Sequence, residues 1–446
     1  MSLDTARATE TPLTGMADLL AYFRSAERPR AEHRLGLEHE KLLFVGGTRP
    51  PAPVPYDGAR GVGALLEALG PTYAPFRERP DGPAIALQRG ALTVSLEPGG
   101  QFELSGTPAR TARELHQENV QHLEELGKAT AGLGLKVAAL GYRPFGVTGE
   151  MPWMPKTRYA LMRQSLGERG KLALDMMLMT ATGQVSLDWA DEADCARKVC
   201  AVARVAPLMV ALYANSPLVR GAPSGLMSFR SRVWSDVDPA RCGYLPSMID
   251  GSFSYQGYAE WALDAPMLFL RRGGEYRVVK MTFRQFMQRG FEEKPATAAD
   301  WVDHLSTLFP EVRIKKVMEV RGADCVGATQ TAALAALWRG ALYDAQALGE
   351  VERLLPRLSF AEHQELHRSA GEAGLRATLR GAPLAALARE LVQIARGGLM
   401  RVDPEDAPLL DVLLEIAESG RSPAERVLEA WERDRDPAAL IERFAP

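Results

Sequence analysis

The sequence has few cysteines and no long apolar run. Its 446 residues include four cysteines without a CxxC pair, too few to form a disulfide framework in a chain of this length. The most apolar stretch, residues 205–214, contains Pro207 and is about half as long as a membrane helix. The polar N-terminal segment does not have the pattern of a signal peptide. We therefore expect reduced thiols, no membrane partner and a cytoplasmic location.

The sequence also lacks an excess of charge of either sign. Its 53 basic residues are balanced by 56 acidic residues, which leaves a net charge of -3. Arginine is preferred over lysine along the whole chain, and this even distribution is not that of a nucleic-acid partner. With 46% hydrophobic and 24% charged residues, the composition is that of an ordinary globular protein and excludes disordered or collagen-like chains.

Three common catalytic or nucleotide-binding motifs are absent. There is no GxxxxGK[ST] phosphate loop, no GxGxxG turn after a predicted strand and no GxSxG nucleophile elbow. His363 and His367 have the spacing of a zinc helix, but the glutamate between them is one place too late for HExxH. This difference favours a solvated histidine pair on a helix. Any nucleotide must therefore be held without the common loop.

Periodicity predicts an α+β protein with an antiparallel sheet. The extended patterns are separated by loops rather than by regular helices, which argues against alternating βαβ units. From about residue 331 the pattern is helical, and we expect a helical C-terminal layer within a single unit spanning 1–446. The predicted strands are 34–45, 91–104, 136–139, 180–189, 277–282 and 313–321. The predicted helices are 16–24, 111–130, one from about 192, 383–396 ending at Gly397, and one beginning after Ser422.

Two loops are longer than ordinary connections. They are the proline-rich segment 46–63 and the segment 141–156. Loops of this length are often binding loops or lids. We expect the second of them to exclude water from a reaction.

Acidic side chains recur on the predicted strands. Glu38 and Glu40 are two residues apart and share a face, where they repel each other unless water solvates them or a cation bridges them. A solvent-facing strand is the alternative. Glu97 and Glu103 lie on either side of Pro98-Gly99-Gly100, a pattern typical of a bulge or of close backbone approach to a ligand.

Two later segments add further polar groups. Glu319 and Arg321 alternate on one strand, where a surface ion pair is the alternative interpretation. Gln184 lies on a predicted polar strand face and could contribute an amide oxygen. Oxygen ligands suit Mg²⁺ or Mn²⁺, and a guanidinium suits a phosphoryl oxygen. Arg230 and Arg232 also alternate, and we expect them to share a face that binds a substrate carboxylate.

Seven ordered motifs carry a resemblance to a known family between about residues 35 and 382. They are GLEHEKLLF, SLEPGGQFELSG, MPKTRYALM, TATGQVSLD, ALYANSPLVRG, SFRSRVWSDVDPARCG and HLSTLFPEVRIKKVMEVRGAD. In these motifs the sequence resembles glutamate–cysteine ligases of the plant and proteobacterial type, within the carboxylate-amine ligase superfamily related to glutamine synthetase. Its cysteines do not reproduce the regulatory disulfides of the plant enzymes.

The resemblance implies a curved, incompletely closed antiparallel sheet that forms a funnel, with helices outside. It implies an ATP-dependent enzyme that joins glutamate to cysteine through a γ-glutamyl phosphate, as a monomer or homodimer. Glu38 and Arg321 are implied as catalytic residues. The implied metal ligands for Mg²⁺ or Mn²⁺ are Glu38, Glu40, Glu97, Glu103, Gln184 and Glu319. The implied nucleotide-binding residues are Lys156, Arg158 and Arg321, and the implied amino-acid-binding residues are Arg230, Arg232, Trp234 and Tyr244.

Three other functions remain open at this point. An enzyme of the same fold could use a different amine, because the amine pocket is the least determined part. A non-catalytic metal or nucleotide binder would retain the fold, although the intact Glu319-Val320-Arg321 sequence argues against it. A glycosidase would use paired carboxylates without ATP.

Overall fold

The computed structural model describes residues 10–272 and 274–446. Its strands are β1 (Leu35–Val45), β2 (Ala52–Pro53), β3 (Ala74–Arg77), β4 (Ala84–Arg89), β5 (Leu92–Leu96), β6 (Phe102–Ser105), β7 (Leu135–Ala138), β8 (Thr182–Leu187), β9 (Leu218–Val219), β10 (Ala222–Pro223), β11 (Cys242–Gly243), β12 (Leu270–Arg272), β13 (Glu275–Arg277), β14 (Phe309–Pro310), β15 (Val312–Ile314), β16 (Met318–Asp324), β17 (Thr378–Leu379) and β18 (Ala382–Pro383).

The α-helices surround the sheet and form most of the chain after β16. They are α1 (Met16–Arg24), α2 (Val62–Leu69), α3 (Ala112–Gly132), α4 (Thr157–Leu166), α5 (Ala173–Met179), α6 (Glu192–Tyr213), α7 (Phe229–Trp234), α8 (Pro246–Asp250), α9 (Tyr255–Asp264), α10 (Phe283–Arg289), α11 (Ala298–Leu305), α12 (Ala328–Tyr343), α13 (Ala345–Leu354), α14 (Phe360–Ala373), α15 (Leu384–Val402), α16 (Asp411–Ser419), α17 (Pro423–Asp434) and α18 (Pro437–Arg443). In the described part of the chain, no helix is long and apolar enough to cross a membrane.

The main sheet has ten strands, in the order β15-β16-β8-β1-β6-β5-β4-β3, with β2 and β7 both paired to the second half of β1. Neighbouring strands in this sheet are antiparallel. The two ends of the strand order, β15 and β3, do not pair with each other within the described residues. The predicted α+β fold with an incompletely closed antiparallel sheet is therefore confirmed.

The central strand β1 separates two environments. Leu37, His39 and Lys41 are buried on the face covered by helices, whereas Glu38 and Glu40 point to the other face and are half-buried. On the helix side, His39 Nδ1 lies 3.2 Å from Asn119 Oδ1 of α3. This alternation assigns the carboxylates to the inner face of the curved sheet, as the sequence predicts.

The predicted strand 91–104 is a hairpin rather than one strand with a bulge. Pro98, Gly99 and Gly100 form the turn between β5 and β6, closed by a hydrogen bond from the Gly100 amide to the Glu97 carbonyl (2.9 Å). Gly99 is required because a Cβ there would lie 2.3 Å from the Leu178 carbonyl oxygen. The hairpin places Glu97 and Glu103 on adjacent segments.

The predicted strand 277–282 also differs from the structure. Strand β13 ends at Arg277, and Thr282 is instead the N-cap of α10.

Segment 141–156 is held in place by backbone hydrogen bonds: the Arg143 amide donates to the Met179 carbonyl (2.8 Å), and the Met154 amide donates to the Pro98 carbonyl (2.9 Å). Most side chains between 139 and 145 are buried. Both ends of the segment are therefore anchored to the fold, whereas residues 146–150 are half-buried or exposed, and its role as a lid stays a prediction.

Helix α15 continues past the predicted end at Gly397 and runs to Val402. A Cβ on Gly398 would lie 2.0 Å from the carbonyl oxygen of Gly340 in α12, and a Cβ on Gly340 would lie 2.0 Å from the Ala395 carbonyl oxygen. The two glycines let α12 and α15 approach backbone to backbone. Packing between the helices therefore outweighs the low helix propensity of glycine.

We expect Gly398→Ala to lower the free energy of unfolding by about 1–3 kcal/mol, because the added methyl group forces α12 and α15 apart. Gly397→Ala is the matched control, since a Cβ there meets only Arg401 Nη1 at 3.7 Å. The control should be neutral or stabilising by up to about 1 kcal/mol. Urea unfolding followed by circular dichroism measures both, and equal effects of the two variants would contradict the helix contact.

Candidate active site

Strands β1, β6 and β8 bring four of the predicted metal ligands together on the inner face of the sheet. In the strand register Glu40 lies opposite Glu103 of β6, and Glu38 lies opposite Gln184 of β8. The Thr182 amide donates to Glu40 Oε2 (2.9 Å), and Ser95 Oγ donates to Glu103 Oε2 (2.6 Å). These bonds fix two of the carboxylates but supply no positive charge.

The electrostatics of this group favour the binding of a cation. Burial, with repulsion from Glu103 and Glu319, raises the pKa of Glu38 to about 8. Burial and neighbouring carboxylates also raise the pKa values of Glu40 and Glu103, with Glu97 contributing to both. Carboxylates crowded in this way remain ionised together when a cation lies between them.

Glu319 has a different environment at the next strand. Its carboxylate lies 2.5 Å from Arg313 Nη2, 2.6 Å from Lys315 Nζ and 3.3 Å from Arg321 Nη1. Despite burial, these cations hold the pKa of Glu319 well below its usual range. Glu319 and Arg321 therefore do not form an isolated surface ion pair but belong to a largely buried charge network.

A β-bulge sets the position of Arg321. Val320 pairs with Val185 and Ala323 with Gly183, so Arg321 and Gly322 together lie opposite the single residue Gln184. Arg321 Nη1 donates to the Gln184 side-chain oxygen at 2.5 Å. The amide predicted as a metal ligand therefore also positions the predicted catalytic arginine.

The predicted metal ligands fit a divalent cation by charge and donor type. Within the described residues, Glu38, Glu40, Glu97 and Glu103 have no ion-pair partner, and all four offer oxygen donors that suit Mg²⁺ or Mn²⁺. Glu319 is already neutralised by neighbouring cations. Among residues 10–272 and 274–446, no three His, Cys, Asp or Glu side chains are arranged as a ready metal site. The ligand set stays a prediction.

Lys156 and Arg158 lie at the start of α4, near the β5–β6 turn. Burial lowers the pKa of Lys156 to about 8, partly offset by Glu97. The neighbouring Tyr159 hydroxyl donates to the Leu96 carbonyl (2.6 Å), which ties α4 to the end of β5. Both cations therefore border the carboxylate face, consistent with the predicted nucleotide side.

The prediction that Arg230 and Arg232 share a face is wrong, because the segment is the helix α7 and not an extended chain. Arg230 is buried, and its Nη2 donates to the Arg321 carbonyl (2.9 Å). Arg232 is exposed and pairs with Asp236 at 3.1 Å. Two residues correspond to about 200° on a helix, so only Arg230 faces the site.

A small cleft, with a volume of about 20 Å³, opens beside Arg230. Trp234 lies between the two arginines, with the guanidinium carbons of Arg230 and Arg321 at 5.9 and 5.7 Å from its ring centroid. The cleft is also lined by Phe309, Glu311 and His367. This arrangement provides both charge and an aromatic surface for a small polar substrate.

The histidine pair predicted to be solvated is instead packed into the fold, with His363 buried and His367 half-buried. His367 Nδ1 lies 2.7 Å from the Tyr244 hydroxyl, and His367 Nε2 lies 3.1 Å from Ser231 Oγ. His363 Nε2 lies 2.9 Å from the Ala203 carbonyl oxygen. Burial lowers the pKa values of both histidines to about 4, so they are neutral at pH 7. Tyr244 therefore borders the cleft through His367.

Sequence reasoning missed Glu311 and His367 as residues of the cleft. Glu311 lies within one of the motifs, but the sequence around it contains no second acidic residue at strand spacing. The pattern that identifies the other carboxylates is therefore absent at Glu311. The zinc-like spacing of His363 and His367 does not predict that His367 lines the cleft. Its signal was the apolar helix face that it shares with His363, one turn away.

Comparison with known proteins identifies the family. Residues 34–442 match the model of glutamate-cysteine ligase family 2. The chain is 38% identical over 438 residues to the chloroplastic glutamate–cysteine ligase of Brassica juncea, which covers 96% of this chain and 84% of that protein. The corresponding Arabidopsis thaliana protein is 37% identical over 438 residues, covering 96% of this chain and 83% of that protein.

A solved structure shares the fold. The glutamate–cysteine ligase of Francisella tularensis in complex with AMP matches with a TM-score of 0.55 at 11% identity, covering 93% of this chain and 87% of that chain. At that identity the likeness shows the fold alone. From the family match and the plant relatives, this chain belongs to glutamate-cysteine ligase family 2.

Proposed function

We propose that this protein is the ATP-dependent ligase that joins the γ-carboxylate of L-glutamate to the amine of L-cysteine, giving γ-glutamylcysteine, ADP and phosphate. The observation that carries the proposal is the family match over residues 34–442. It is supported by the inner sheet face, where crowded carboxylates lie beside Arg321 and a cleft lined by Arg230.

The chemistry requires activation of the acid. A carboxylate is a poor electrophile, so the γ-carboxylate first takes the γ-phosphoryl group of ATP to give an acyl phosphate. The cysteine amine then attacks the carbonyl carbon, and phosphate leaves. Arg321, held by Gln184 and Glu319, is placed to neutralise charge that develops on the phosphoryl oxygens. Arg230 is the proposed partner of the glutamate α-carboxylate.

We further propose Mg²⁺, with Mn²⁺ as a substitute, at the carboxylates of the inner face. The residues that would hold it are those predicted from the sequence: Glu38, Glu40, Glu97, Glu103, Gln184 and Glu319. A divalent ion bound there supplies positive charge to the ATP phosphates. Of the proposed ligands, Glu319 already has three cationic neighbours, so its contribution requires that one of them give way.

The rest of the proposed site divides into two sides. Lys156 and Arg158 form the nucleotide side, beside the β5–β6 turn. Arg230, Trp234 and Tyr244 form the amino-acid side, with Tyr244 acting through its contact to His367. Arg232 has no place in this arrangement, because its side chain is exposed and paired with Asp236.

The test is ADP release from Mg-ATP with glutamate and a panel of amines, including cysteine, 2-aminobutyrate, alanine and ammonia. We expect ADP and γ-glutamylcysteine in a 1:1 ratio with cysteine, and lower values of kcat/KM with the other amines. Without amine, ADP release should fall to a low background, because the acyl phosphate is not consumed. A higher kcat/KM with another amine would identify that amine, rather than cysteine, as the acceptor substrate. Product formation without ATP would contradict the ligase chemistry.

A further inference from the structure

Glu311 occupies a fixed position at one side of the cleft. It follows β14, and its amide donates to the carbonyl of Gly243 in β11 (2.8 Å). Its side chain lies against the bulge in β16, where a Cβ on Gly322 would be 2.1 Å from Glu311 Oε1. The absence of a side chain at Gly322 therefore provides the space that the carboxylate occupies.

This carboxylate has no positive partner of its own. In the described chain, no lysine, arginine or histidine nitrogen lies within 4.0 Å of it, and Oε1 is buried without a hydrogen-bond partner. Glu319, by contrast, contacts three cations. Glu311 as a whole is half-buried, but its unpaired Oε1 atom is buried. A buried polar atom without a partner is costly to folding unless water, an ion or a ligand satisfies it.

The groups that face Glu311 in the cleft are positively charged. Burial raises the pKa of Glu311, and this effect is partly offset by Arg230 and Arg321, which line the same cleft without reaching the carboxylate. Arg230 is held back by its bond to the Arg321 carbonyl, and Arg321 by Gln184. The cleft thus presents guanidinium groups and, across a gap, a free carboxylate, which is the complement of a zwitterion.

We propose that Glu311 binds the α-ammonium group of the glutamate substrate while Arg230 binds its α-carboxylate, so that Glu311 selects amino acids over simple dicarboxylates. The proposal rests on the proposed function. Glutamate is the substrate concerned because its amine does not react and stays protonated. The amine of cysteine must lose a proton before it attacks, and a neighbouring carboxylate would favour the protonated form.

The experiment compares glutamate with glutarate, which has both carboxylates but no ammonium group. We expect Glu311→Gln to raise the KM for glutamate at least tenfold, because the ammonium loses its charged partner. The KM for glutarate should change less than about threefold, since it makes no contact of this kind. Glu311→Asp should give an intermediate loss, and Glu432→Gln, on the exposed face of α17, is the matched control.

Each other outcome has a definite meaning. Equal KM increases for glutamate and glutarate would assign Glu311 a structural role and overturn the proposal. An increase confined to cysteine would overturn it as well. If wild-type protein releases no ADP with glutamate and cysteine, the proposed function fails separately, and calorimetric binding of glutamate and glutarate still tests Glu311. If Glu311→Gln does not fold, Glu311→Asp provides the same comparison.

Discussion

Arg321→Lys is expected to lower kcat about 100-fold or more while leaving the KM for glutamate within about threefold. The guanidinium of Arg321 is oriented by Gln184 Oε1 at 2.5 Å and Glu319 Oε2 at 3.3 Å, which leaves the rest of its planar fork to face the phosphoryl group. A lysine ammonium at this place is a point charge and cannot make the bidentate contact. The loss therefore falls on the transition state more than on substrate binding.

Steady-state ADP release with saturating Mg-ATP and cysteine measures both constants. Arg232→Lys is the matched control, since Arg232 is exposed on α7 only two residues from Arg230. The control should retain wild-type constants. A change confined to the KM for glutamate would show that Arg321 binds the amino acid rather than the transferred group.

Glu319→Gln and Glu38→Gln are expected to have opposite effects on stability, although both lose activity. Glu319→Gln leaves Arg313, Lys315 and Arg321 close together without their common carboxylate, which should cost about 3–5 kcal/mol of unfolding free energy. Glu38→Gln replaces a carboxyl whose charge is unfavourable in the folded protein and should be neutral or stabilising in the absence of metal.

The effect of Glu38→Gln should depend on pH in a defined direction. The folded-state pKa of Glu38 is about 8, above its ordinary value of 4.5, so wild-type stability falls as pH rises between these values. The advantage of the glutamine variant therefore grows from pH 5 to pH 8 and is constant at higher pH. Thermal unfolding in EDTA across this range measures it.

The two variants also test the carboxylate site. A Glu38→Gln protein with wild-type activity at saturating Mg²⁺ would remove Glu38 from the site. A Glu319→Gln protein as stable as wild type would contradict the charge network. Glu442→Gln, an exposed carboxylate paired with Lys136, is a control that should change neither property measurably.

The strands and their carboxylates could be predicted because their signals are local. Alternation in β1 assigns Glu38 and Glu40 to one face whatever surrounds them, and the antiparallel sheet confirms that assignment. The hairpin at Pro98–Gly100 could have been predicted from the same residues, because a Pro-Gly-Gly sequence is a turn signal as much as a bulge signal.

Other features depend on contacts that no local pattern contains. Arg230 and Arg232 alternate as on a strand, and the competing helix signal was Ser228, whose Oγ accepts from the Ser231 amide as an N-cap (3.1 Å). Helix α15 passes Gly397 because the contact of Gly398 with Gly340 is tertiary. The position of Glu311 in the cleft could not be predicted, because it depends on tertiary contacts that place its carboxylate against Gly322 and opposite two arginines.

The bulge in β16 affects the positions of two groups of the proposed site, Arg321 and Glu311, through a single stretch of backbone. Arg321 and Asp324 are three residues apart, a spacing that puts side chains on opposite faces of a regular strand. Because the bulge sets two residues opposite Gln184, Arg321 and Asp324 nevertheless share a face, and Arg230 reaches the Arg321 carbonyl at 2.9 Å and Asp324 at 3.9 Å. One of these two residues, Gly322, provides the space for Glu311. Deleting Gly322 would leave Arg321 and Asp324 two residues apart and still on one face, but it would remove the space that the Glu311 carboxylate occupies. The length of the chain at the bulge, and not only residue identity, is therefore constrained by the position of Glu311.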